Sequence, residues 1–175
     1  GLKLVNEIEQ GLKKHNEKIN KESKVLFAYN IAYLFFGLSE YDNSLKWINE
    51  IMNDKELNIR EDIQCFARIL NLLVHYELGN YVLIEYIIKS TRRYLSNKNK
   101  LHKFELTILN YIRKLINAKM DDDTTFIFME WKKELSSISD DILEINAFEY
   151  FDFIAWLDSK IKKKSLPEML KGKKK

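Results

Sequence analysis

The side chains best suited to catalysis or metal binding are few and scattered. The chain has three histidines, His15, His75 and His102, and a single cysteine, Cys65. A nucleophile and its base must lie within hydrogen-bond reach. On one helix, His75 and Cys65 would stand about 15 Å apart. No His or Cys pair has the spacing of a zinc site, and no Gly-rich phosphate loop occurs. The stretch "DDDTT" at 121–125 could hold a cation. Three Asp ahead of a helical pattern are more simply caps and a complement to the helix dipole. Cys65 has apolar neighbours and no second cysteine to pair with, so it reads as a small core residue in a reducing compartment. These residues point away from an enzyme and imply neither a metal nor a cofactor.

Binding is the better-founded chemistry. Arg60, Gln64, Arg68, Asn71 and His75 fall at spacings of four, four, three and four, one face of a helix that is otherwise apolar nearly all round. Lys100, Lys103, Thr107, Asn110 and Lys114 repeat the pattern. A shift of 39 maps Gln64, Arg68, Asn71 and His75 onto Lys103, Thr107, Asn110 and Lys114. The bland reading is two solvated helix faces. The functional reading is a polar, basic surface for an acidic peptide or protein, with Arg and Lys pairing carboxylates and the two Asn bonding the partner's backbone.

The elements that carry these residues are helices. Apolar residues make up 46% of the 175-residue chain and aromatics 13%, with five Gly and one Pro. That composition folds, and it suits helices better than tight β-turns. Periodicity places about eight of them, over 2–18, 23–38, 41–53, 60–78, 81–96, 101–118, 123–137 and 140–163. Short connections make neighbours antiparallel. The expected fold class is all-α, with one domain over 1–163 and a flexible Lys-rich tail over 164–175. No apolar run is long enough to span a bilayer and no signal peptide opens the chain, so a cytoplasmic location is expected. Gly1 falls at once into a helical pattern, as in a fragment cut from a longer protein.

Two stretches punctuate the helices alike: "YLFFGLSEYDNSLKWI" at 33–48 and "VHYELGNYVLIEYII" at 74–88. Asn30, Ile31, Ala32, Phe35, Ser39, Tyr41, Ser44 and Ile48 make up one copy. Gly79, Tyr81 and Ile84 recur in a second, and a weaker third sits at Ala118 to Met120. In this respect the chain resembles the tetratricopeptide-repeat (TPR) family, whose paired helices cross at small residues and bend at a Gly-x-Tyr. It also looks like the C-terminal portion of bacterial TPR-type proteins. The spacing of about 40 departs from the family's 34, and the second copy has Leu72 and Ile84 where small residues belong. The resemblance implies a right-handed α-solenoid of antiparallel hairpins and a non-enzymatic protein-binding scaffold. Strict TPR register would bury Arg68, Asn71 and His75 and turn Phe66, Ile69, Leu73 and Tyr76 to the concave face. The cost of an unpaired buried Arg argues instead for an exposed stripe.

Charge is segregated. Residues 86–119 hold nine Lys and Arg against one acid, 120–159 two against eleven acids, and 160–175 eight Lys against one Glu. Neighbouring blocks can neutralise each other across packed helices. The alternative is a nucleic-acid-associated helical repeat using "STRRYLSNKNKLHK" at 90–103 and the Lys-rich tail, although a pI near 8.7 disfavours it. A third possibility is a structural dimerisation or capping domain. The last helical stretch carries Phe148, Phe151, Phe153 and Trp156, more aromatic surface than one neighbour covers, and is a candidate homodimer interface.

Overall fold

The computed structural model describes residues 7, 10–11, 19–54, 59–118, 124–138 and 147–172, and every regular element among them is an α-helix. The chain divides into two compact units, Gly1–Val74 and His75–Lys175.

The first unit is built on a helical hairpin. Helix α1, Lys21–Gly37, starts where Asn20 Oδ1 accepts a hydrogen bond from the Ser23 amide at 2.8 Å. Helix α2 follows over Tyr41–Met52. The two cross at small residues, and the buried Ser44 hydroxyl donates to the Ala32 carbonyl at 2.7 Å. A larger side chain at either position would separate the backbones. At the open end Lys21 pairs with Asp54 at 2.9 Å, which fixes the helices as antiparallel. Helix α3, Glu61–Glu77, spans the boundary between the units. In its first-unit portion Ile63, Ala67, Ile69, Leu70, Leu72, Leu73 and Val74 are all buried. The sequence helix over 2–18 falls almost entirely outside the described residues.

The second unit takes the last turn of α3 and adds α4 (Tyr81–Asn97), α5 (Lys103–Asn117), α6 (Thr125–Ile138), α7 (Ala147–Tyr150), α8 (Phe153–Ile161) and α9 (Leu166–Gly172). Glu105 reaches back to the His102 amide at 2.9 Å to cap α5. Helices α5 and α6 run antiparallel, with Thr107 meeting Glu134 and Tyr111 stacking on Trp131. The stretch expected as one helix over 140–163 is interrupted. Phe151 and Asp152 are non-helical, and Asp152 Oδ1 caps α8 by accepting from the Ala155 amide at 2.9 Å. The charged C-terminal region contains a helix where a flexible tail was expected. Ser165 and Glu168 cap α9, and Leu166 is buried.

One turn recurs. Ser39, Gly79, Asn99 and Lys163 have φ of 62°, 72°, 54° and 51°. After each of four helices two bonds close the end in the same way: Ser39 N to Phe36 O and Glu40 N to Phe35 O, with the equivalent pair at Gly79, Asn99 and Lys163. This is the Schellman arrangement, which satisfies carbonyls left over at a helix end. Gly37, by contrast, lies inside α1, and the left-handed residue of the first turn is Ser39. The weak third copy ends differently: Ala118 is extended at φ −64°, ψ 142°.

Candidate functional site

Helix α5 has a core face and a water face. Phe104, Ile108, Ile112 and Leu115 are buried, while Lys103, Asn110, Lys114 and Asn117 are exposed. Across from it, α6 presents Glu134. Its carboxylate accepts from the Thr107 hydroxyl at 3.0 Å, and it also holds the Tyr111 phenol. Burial first, then this bond and the nearby carboxylate charges, push the Tyr111 phenol up to about 12. The Trp131 ring stacks on Tyr111 at 5.5 Å and an interplanar angle of 4°. The Lys114 ammonium lies 4.2 Å from the Tyr111 ring centroid, a cation–π contact. Asn110, Arg113, Lys114, Asn117 and Glu134 thus line an open cleft of about 470 Å³ floored by Tyr111. Arg113 also approaches Glu85 of α4 at 3.8 Å, and both side chains are substantially exposed.

Such a cleft can recognise a polar chain. Two carboxamides can each donate to and accept from a backbone, and two cations can meet carboxylates. Glu134 is held by two donors from α5, which fixes the cleft wall.

The sequence-derived ridge is only partly a surface. Asn110, Lys114 and Lys103 are exposed, but Thr107 is buried beneath Glu134. Along α3 the expected solvated stripe is corrected: Gln64 is 1% exposed, Asn71 5% and His75 8%, with Arg68 half-buried. The cause is that α3 is covered on nearly every side. Its polar groups answer to local partners instead. Gln64 donates to the Ile59 carbonyl at 3.2 Å, and Arg68 leans on the Gln64 carbonyl at 3.4 Å. Arg60 grips Asp62 through two nitrogens. His75 Nδ1 meets the Asn80 amide nitrogen at 3.1 Å, and burial lowers the imidazole pKa. Among the described residues, the buried Asn71 Oδ1 has no hydrogen-bond partner.

The aromatic stretch proposed as a dimer interface is also corrected. Phe151, Phe153 and Trp156 are each at most 2% exposed, and the Phe148 side chain lies outside the described residues. Phe153 packs edge-on against Phe104 of α5, and Trp156 against Trp131 and Phe128 of α6. These rings fill the second unit's core. A dimer through them would require α8 to leave it.

A second, larger cleft of about 750 Å³ escaped the sequence reading. Tyr76, Tyr81, Thr125, Phe128, Lys163 and Lys164 line it. Its residues come from four separate segments, so no spacing in the sequence announces it. For metals, the described residues contain no group of three or more His, Cys, Asp or Glu able to hold an ion, and Cys65 is buried. Comparison with protein-family models, with curated proteins and with solved structures found no match for this chain.

Proposed function

We propose that this chain is a TPR-like scaffold of stacked helical hairpins that binds an acidic peptide or protein segment in the α5–α6 cleft. The observation that carries the reading is the wall of exposed Asn110, Lys114 and Asn117 along one cleft whose opposite side, Glu134, is pinned by Thr107 and Tyr111. The repeat architecture is supported by the recurring Schellman turns and by the Ala32–Ser44 crossing of α1 and α2. The partner's carboxylates meet Lys114 and Arg113, and Asn110 bonds its backbone. The site is a binding site and carries no reaction.

Fluorescence anisotropy of labelled Asp/Glu-rich peptides against the whole chain tests it. Lys114→Glu should weaken binding about tenfold or more, a difference of about 1.4 kcal/mol, while stability falls by no more than the lost cation–π contact with Tyr111, about 0.5–1 kcal/mol, because Lys114 is exposed. Equal binding by wild type and Lys114→Glu, or no binding by wild type, rejects the cleft as the site.

A further inference from the structure

The outward stripe of α4 changes character along its length. Val82, Tyr86, Lys89 and Arg93 recur at helical spacing and are all exposed, so they form one line down the helix. Val82 is 85% exposed, Tyr86 68% and the flanking Leu83 45%. Exposed cations Lys89, Arg92 and Arg93 follow directly. A single exposed apolar residue is ordinary, but a cluster rimmed by charge marks an interaction surface. Helix α6 also begins with exposed apolar side chains, Phe126 and Met129. The two helix starts share one side of the unit, since Tyr81 and Thr125 line the same cleft, with Lys163 and Lys164 on its rim. Glu85, the acid on α4, lies off the stripe beside Arg113.

We propose that this side of the second unit docks on an anionic lipid bilayer. Val82, Tyr86 and Phe126 enter the boundary between headgroups and acyl chains, and Lys89, Arg92, Arg93, Lys163 and Lys164 meet the phosphates. Charge complementarity decides the occupant: Lys89, Arg92 and Arg93 follow the apolar residues along α4, and Lys163 and Lys164 line the cleft that Tyr81 shares with the start of α6, as suits an anionic surface. Val82 and Leu83 edge an open depression of about 390 Å³ whose lining is one turn of chain, Gly79 to Leu83, whereas a peptide helix needs a groove between elements. Tyrosine suits the interface, with an apolar ring and a polar hydroxyl. The docking is peripheral, and no described helix is long and apolar enough to cross a membrane.

Co-sedimentation of the whole chain with vesicles tests this. The chain should pellet with phosphatidylserine–phosphatidylcholine vesicles and not with phosphatidylcholine alone, and salt should release it. Val82→Asp and, separately, the pair Lys89→Glu and Arg93→Glu should each reduce anionic-vesicle binding about tenfold or more, with unchanged melting temperature. Tyr86→Ser provides a second apolar variant should Val82→Asp misfold. Failure to pellet with anionic vesicles overturns the proposal, as does equal pelleting by Val82→Asp and Tyr86→Ser. Tight binding of a DNA or RNA oligonucleotide that ignores Val82 and Tyr86, in place of vesicle binding, assigns the cations to nucleic acid. A dimer by light scattering that Val82→Asp dissociates assigns the patch to a second copy. Either result also overturns it.

Discussion

The indole nitrogen of Trp156 donates to Glu77 Oε1 at 2.6 Å, joining residues 79 positions apart. The other Glu77 oxygen takes the Lys160 ammonium at 2.5 Å, and only 8% of the Glu77 side chain is exposed. This carboxylate ties α8 to the last turn of α3 within the second unit. Removing it leaves an indole N–H and a half-buried ammonium without their acceptor. Glu77→Ala should therefore cost about 2 kcal/mol, read as a lower urea midpoint with the slope unchanged. The Trp emission should shift as Trp156 loses its bond. A variant as stable as wild type would show that water replaces the carboxylate at no cost.

Trp156→Ser bears on the same helix. The ring is 1% exposed and touches Tyr76, Phe128 and Trp131, so truncation should cost about 3–5 kcal/mol. Thermal melting is the measurement. A soluble variant with native stability and a changed oligomeric state would contradict the buried placement of α8.

Glycines at the two matching turns should respond with opposite signs. Gly79 has φ 72°, where a side chain is strained, so Gly79→Ala should destabilise by about 1–2 kcal/mol. Gly37 lies in α1 with nothing among the described residues within 4 Å of an added Cβ, so Gly37→Ala should stabilise by about 0.5–1 kcal/mol. Denaturant titration of both decides the matter, and a same-sign pair would refute the assigned backbone. Lys163→Gly should likewise stabilise, because Lys163 holds φ 51° at a Schellman end.

Acid should loosen the Gly79 turn. Burial lowers the His75 pKa from 6.5, and with the Asn80 amide as donor Nδ1 must be unprotonated. The unfolded chain then takes up a proton before the folded one does. The stabilisation is fully present above about pH 6.5 and is lost as pH falls through the lowered folded value. Melting temperature should drop below pH 6.5, and His75→Gln should flatten that slope. An equally steep slope in the variant would place the titration elsewhere.

Alkali should act on the α5–α6 cleft. The Tyr111 pKa is raised from 10.0 to about 12, so its contribution is fully present below pH 10 and is lost as pH rises through 12. Tyr76 is raised too, by burial first and then by the charges of Tyr81 and Glu77, and adds to the same trend. Tyr111→Phe removes one donor from Glu134 and should cost about 1 kcal/mol at neutral pH while reducing the alkaline loss. Ultraviolet absorbance at the phenolate band, followed with pH, reports the ionisation directly.

The helices were legible because their signals are local. The expected 41–53 and 60–78 became Tyr41–Met52 and Glu61–Glu77, and 81–96 and 123–137 became Tyr81–Asn97 and Thr125–Ile138. Periodicity fixes such spans whatever packs on them. The Gly79 turn was readable for the same reason, since glycine favours a left-handed φ. Its counterparts at Ser39, Asn99 and Lys163 were not marked by glycine, because their backbone geometry is imposed by the ends of the helices they close.

Spacing put Gln64, Asn71 and His75 on one face of α3, and by itself the sequence could go no further. Whether that face meets water depends on what covers it, and the tertiary structure buries all three. The same rule acts in reverse on α8, whose rings look surplus along the chain and are consumed by contacts with Phe104, Phe128 and Trp131. The sequence by itself determined which residues are helical and which share a face, because both follow from bonds and side chains a few positions apart. Only the tertiary structure decided which faces are covered and which clefts exist, because residues as distant in the chain as Glu77 and Trp156 meet only once the helices pack.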